Sequence, residues 1–152
     1  MNSKQVSELP RGGRLILGVL IFGVVATLAY WVVWFGVDRE ILASAHTASY
    51  YAFENSFPLA DLWMVATGLA AITGLLRRRA SALPWTIAAG AISIYLGLLD
   101  VLFDLENGIY CAADSSGVVV EIVINVLTLS MGVVVLIWAW RQRRALSAFA
   151  GW

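Results

Sequence analysis

Charge is scarce in this chain. Asp, Glu, Lys and Arg make up 13% of its 152 residues, whereas a soluble domain carries roughly 25%. So few charges cannot cover a water-exposed surface, and with 61% hydrophobic residues the composition is that of a membrane protein. Cysteine is nearly absent. Cys111 stands alone, which excludes an internal disulfide, a CxxC redox pair and a cysteine-rich zinc site. His46 is the single histidine; it lies between apolar runs and reads as a surface residue rather than a ligand or proton shuttle. No GxGxxG, P-loop or HExxH motif occurs, and no lipobox-like cysteine lies near the start. The formal net charge is zero and no basic block is large enough to suggest nucleic acid.

What the chain does have is long apolar runs. Residues 15–37, LILGVLIFGVVATLAYWVVWFGV, contain no charge, and about 20 apolar residues suffice to cross the hydrocarbon core as a helix. Residues 57–76, 83–103 and 117–140 are long enough for three more spans, although they include Asp61, Asp100 and Glu121 respectively. Pro58 and Pro84 fall in first turns, where a missing N–H costs nothing. The expectation is a single all-α membrane domain over 1–152, a four-helix transmembrane bundle. One connecting loop at 38–56 and another at 104–116 would lie on one side, and a short turn at 77–82 on the other. The first loop, rich in Ala, Ser and Tyr, would form a short surface helix, with Tyr50, Tyr51 and Phe53 suited to an interface. The triplet Ala43-Ser44-Ala45 raises a signal-peptide reading, but the first run exceeds the roughly 7–15 residues of a signal-peptide core, so a retained span is expected.

Charge sets the orientation. Lys4, Arg11, Arg14, Arg77, Arg78, Arg79, Arg141, Arg143 and Arg144 would share one side, leaving only Arg39 on the other. By the positive-inside rule both termini are cytoplasmic, in a bacterial inner (plasma) membrane. Tyr30, Trp31, Trp34 and Trp63 then lie near the outer boundary, and Trp85, Trp138 and Trp140 near the inner one, as aromatic belts do.

The acids show the opposite asymmetry. Apart from Glu8, all of them fall outside or in the outer part of the spans. Asp61, Asp100 and Glu121 each lie three or four residues inside a helix end, roughly 5 Å below the boundary at 1.5 Å per residue. Residues three, four and seven apart share a helix face. Asp61 therefore aligns with Met64, Gly68 and Ala71. Asp100 and Asp104 continue a stripe of Ala89, Ser93 and Gly97, and Glu121 leads Asn125, Thr128 and Gly132. Membrane helices turn small and polar stripes towards one another, so these acids should point into the bundle. Asp38, Glu40, Asp104, Glu106 and Asp114 are close enough to the interface to reach water. The candidate set for binding a ligand or cation is Asp61, Asp100, Glu121, Asn125, Glu54 and Asp104, centred on the first three, with no cofactor or metal specified.

Clustered carboxylates in hydrocarbon need a proton, water, a partner or a cation. Three functions follow from that need. One is an outward-facing pocket that binds or transports a cation or a lipophilic, cationic amphiphile; oxygen ligands without Cys or a His cluster suit a hard ion such as Ca²⁺ or Mg²⁺. A second is an enzyme using carboxylate acid and base chemistry on a lipid-soluble substrate. The third is a non-catalytic accessory or assembly subunit, fastened through its polar stripes to a second copy or to a larger membrane complex.

The stretches FENSFPLADLW, LLRRR and YLGLLDVLFDLENGIY resemble segments of small, uncharacterised four-span bacterial membrane proteins, a likeness over about the central 60 residues that implies no activity. In plan, with a long outer loop, a basic inner turn and acids at outer helix ends, the chain is also similar to the sterol-isomerase and sigma-2 receptor superfamily. That similarity implies carboxylates and aromatics within a bundle that bind cationic amphiphiles or move a proton. It is one of architecture, without motifs that match residue by residue.

Overall fold

The computed structural model describes residues 9–111 and 115–149. All regular structure among them is helical: α1 (Gly13–Gly36), α2 (Ala48–Glu54), α3 (Pro58–Leu76), α4 (Ala82–Glu106), α5 (Ser115–Arg141) and α6 (Arg143–Ser147), with 3₁₀ turns at Arg39–Ile41 and Ile109–Cys111. Four candidate membrane spans are present, Gly13–Gly36, Ala48–Leu76, Ala82–Asn107 and Gly117–Arg141. Each exceeds the roughly 20 residues that a bilayer requires. Leucine, valine and isoleucine cover their outer faces, with Leu15, Val32, Leu59 and Leu105 among the most exposed. In water such a surface would aggregate; against lipid tails it is satisfied, so the chain is an integral, multi-pass membrane protein.

The bundle interior is built from small residues, because apolar burial alone cannot drive helices together in lipid. α3 packs against α1 and α4, and α4 against α5, while α1 and α5 meet over a shorter stretch. Gly90 and Gly132 face each other where α4 crosses α5: a Cβ on Gly132 would come within 3.0 Å of the Gly90 carbonyl, and one on Gly90 within 3.0 Å of the Gly132 carbonyl. Beside this crossing, Ser93 Oγ donates to the Thr128 carbonyl at 2.9 Å, a hydrogen bond between the two stripes. Gly68 makes the corresponding approach between α3 and α1, where an added Cβ would lie 2.8 Å from Val24 Cγ2.

The two ends of the bundle differ. At the basic end, α3 stops at Arg77, Arg78 adopts a left-handed φ of 49°, and Pro84 lies in the first turn of α4. Ile16, Leu75, Ala82, Leu146 and Phe149 close that end. At the opposite end a second core of Trp34, Ala43, Tyr50 and Ile109 forms a cap. α2 is the short helix expected in the first loop, but it does not turn Tyr50 to a membrane surface. Tyr50 is 1% exposed, and Phe53 stacks on Phe103 of α4 with ring centroids 3.7 Å apart. The cap takes the aromatic face because it offers Tyr50 a hydroxyl partner as well as apolar contact.

Candidate functional site

The acids converge at the capped end. Asp100 and Asp104 are one helical turn apart on α4 and therefore share a face; Glu121 lies on the facing side of α5. A carboxylate oxygen from each comes within 4.8 Å of the other two. Asp104 is 1% exposed and Glu121 is 4% exposed. The expectation that Asp104 reaches water is therefore corrected. Its helix continues to Glu106 before Gly108, at φ 67°, turns the chain, which keeps Asp104 on the inward stripe. Asp38, Glu40 and Glu106 are exposed as expected, and Asp114 lies outside the described residues.

Asn125, one turn beyond Glu121, completes the group. Its amide Nδ2 donates to Asp104 Oδ2 at 2.8 Å and to Tyr110 Oη at 2.9 Å. Outside the spans, the Tyr110 phenol is pushed up to about 12, first by burial and then by its bond to Asp104, so it stays a neutral hydroxyl at physiological pH. Glu121 Oε2 accepts from Ser44 Oγ and from Tyr50 Oη at 3.2 Å. Ser44 reaches it because Gly117 has no side chain: a Cβ there would stand 3.1 Å from Ser44 Cα.

Asp61 and Glu54 lie apart from this trio. Trp31 Nε1 donates to Asp61 Oδ2 at 2.9 Å and Tyr30 Oη donates to Glu54 Oε2 at 2.8 Å. Asp61, expected at the centre of the pocket with Asp100 and Glu121, is not in the 4.8 Å group, where Asp104 stands with those two. Asp61 belongs to α3, which packs between α1 and α4, and its carboxylate turns to the indole of α1.

These groups meet again around one cavity of about 240 Å³ that runs along the bundle axis. Glu54, Asp61, Asp100 and Glu121 line one end of it; Leu20, Ala89 and Val135 line the other. No Lys, Arg or His among the described residues lines it. Arg39, the only basic residue expected on this side, is exposed and sits over the Tyr51 ring, 4.5 Å from its centroid. His46 is also exposed, its Nδ1 3.0 Å from Tyr51 Oη. Phe22 of α1 and Leu127 of α5 line the cavity while 54% and 43% exposed, so it borders lipid where α1 and α5 make their shorter contact.

Trp31, expected in the outer aromatic belt, walls the cavity, while Trp34 is buried and donates to Asn55 Oδ1 at 3.0 Å. Trp63 is 56% exposed, a belt residue. The hydroxyls of Tyr30, Ser44, Tyr50 and Tyr110 escaped the reading of the sequence. Tyr30 has the signal of standing at the depth of the acids, but the others reach the site through loops that have no periodicity to read. No protein-family model matches the chain, and no curated protein or solved structure matches it either.

Proposed function

We propose that this four-span protein binds a cationic amphiphile from the bilayer, with its ammonium at the acidic end of the intrabundle cavity and its chain along the apolar length. The observation that carries this reading is a cavity lined by four carboxylates at one end, apolar residues beyond them and, among the described residues, no basic side chain. An ionised carboxylate in the membrane interior is costly unless paired, and an ammonium group on an apolar chain meets both requirements of the cavity at once. Its volume of about 240 Å³ falls below the roughly 300–1,000 Å³ of drug-sized pockets, which favours a slender alkyl chain. Tyr30 and Trp31 line the cavity and hold the Glu54 and Asp61 carboxylates by hydrogen bonds, which fixes two of the acceptors that an ammonium would meet. The positive-inside rule supports an orientation with both termini in the cytoplasm of a bacterium and the acidic end facing out.

The test is thermal unfolding of the detergent-purified protein with a long-chain primary amine and with the uncharged alcohol of equal length. A ligand that binds only the folded state raises its apparent stability. The amine should stabilise the wild type, the alcohol should not, and Asp61→Asn and Glu54→Gln should lose the response. Equal shifts with amine and alcohol, or an undiminished response in both variants, would overturn the reading.

A further inference from the structure

Two atoms at the acidic end lack what buried polar atoms normally have. Asp104 Oδ1 and Asn125 Oδ1 are buried without a hydrogen-bond partner among the described residues, in side chains 1% and 3% exposed. A buried acceptor left unsatisfied costs about 1–3 kcal/mol, more for a charged group, and a native structure seldom leaves two in a pair of hydrogen-bonded side chains. The orientation of the Asn125 amide follows from its neighbours. Its NH₂ faces Asp104 Oδ2 and Tyr110 Oη, and a flipped amide would set its oxygen against the carboxylate. The carbonyl oxygen is thereby left as a free acceptor next to a carboxylate trio.

We infer that Asp100, Asp104 and Glu121, with the side-chain oxygen of Asn125, form a binding site for a hard divalent cation of the calcium class. The first observation is the trio, with one oxygen from each residue within 4.8 Å of the others. The second, independent of it, is the pair of unsatisfied buried oxygens, which are acceptors and so require a donor or a cation. All four ligands are oxygen, and no cysteine or histidine joins them, which selects against zinc and copper. Oxygens bound to one calcium ion at about 2.4 Å are at most about 4.8 Å apart, a limit that all three pairs meet; calcium also accepts several protein oxygens in a flexible geometry, whereas magnesium demands a near-ideal octahedron and usually keeps several waters. The hydrogen bonds that Ser44 and Tyr50 donate to Glu121 both fall on Oε2, and they orient the carboxylate as outer partners of a metal ligand do.

This site goes beyond the amphiphile reading, because Asp104 and Asn125 are not among the residues lining the cavity. A cation held there would neutralise the α4–α5 side of the acidic end and leave Glu54 and Asp61 to the ammonium group.

The experiment is a titration of the purified, chelator-treated protein with Tb³⁺, read by luminescence sensitised through Tyr50 and Tyr110, followed by displacement with Ca²⁺ and Mg²⁺. We expect one saturable site from which Ca²⁺ displaces Tb³⁺ at lower concentration than Mg²⁺ does. Asp104→Asn and Asn125→Leu should each weaken it about tenfold or more, while Glu106→Gln, at an exposed position on the same helix, should leave it unchanged. Asp100→Asn, at the half-buried member, reads the same loss if Asp104→Asn fails to fold. A folded wild type without a saturable signal overturns the inference, as does full affinity in the Asn125 and aspartate variants. The amine response, measured on the same preparation, separates the two readings: its survival beside a failed Tb³⁺ titration overturns the metal site alone, and its loss beside a successful one overturns the amphiphile reading alone.

Discussion

Removing one charge from the trio should stabilise the protein when no cation is supplied. Glu121→Gln keeps an oxygen acceptor for the Ser44 and Tyr50 hydroxyls and deletes the repulsion of Glu121 with Asp100 and with Asp104. With oxygens no more than 4.8 Å apart, each ionised pair repels by about 3.5 kcal/mol at an effective dielectric of about 20. Two pairs give a gross relief of about 7 kcal/mol. Against this, two charge-assisted hydrogen bonds become neutral ones, at a loss of about 1 kcal/mol each. Water at the cavity mouth and counterions reduce the repulsion further, but it exceeds the opposing loss by enough to preserve the sign. In chelator, Glu121→Gln should therefore unfold at a higher apparent temperature than wild type, by about 2–4 °C for each kcal/mol retained. In calcium the advantage of the variant should shrink, since a ligand at a hundred times its Kd adds about 2.7 kcal/mol to the wild type. The assay is a thermal scan of both proteins in one detergent at one scan rate, because irreversible unfolding makes the midpoint rate-dependent. A variant less stable than wild type in chelator would refute the repulsion argument, and an unchanged gap between the two proteins in calcium would refute the cation.

Gly132→Ala should lower the apparent unfolding temperature, since its Cβ would meet Ile94 Cγ1 at 2.8 Å and two backbone atoms at 3.0 Å; overpacking of this kind costs about 1–3 kcal/mol. An unchanged thermal scan would mean that α4 and α5 do not cross at this point. Cys111, the only cysteine and exposed, should react with a membrane-impermeant maleimide added to intact cells. Labelling only after lysis would reverse the proposed orientation.

Local periodicity made much of the site legible. Asp100 and Asp104, or Glu121 and Asn125, are four apart on one helix, and that spacing forces them onto one face whatever surrounds it. The small residues Ser93, Gly97, Thr128 and Gly132 extended those faces into stripes, and α4 and α5 meet along them. Asp104 was legible as a member of its stripe but misread as water-facing. Its exposure depended on where α4 ends, and helix ends are the least periodic part of a helix.

By itself, then, the sequence determined the four spans, their small and polar faces and the separation of basic from acidic ends. These follow from hydropathy and from 3.6 residues per turn, which are properties of short segments. Tertiary structure alone decided that Asp61 pairs with Trp31 while Asp104 joins Asp100 and Glu121, that Tyr50 and Ser44 fold inward onto Glu121, and that two oxygens are left without partners. Which helix faces which is set by close approach between residues far apart in the chain, such as Gly90 with Gly132 and Gly68 with Val24. The positions of loop side chains follow from that arrangement rather than from any repeat of their own.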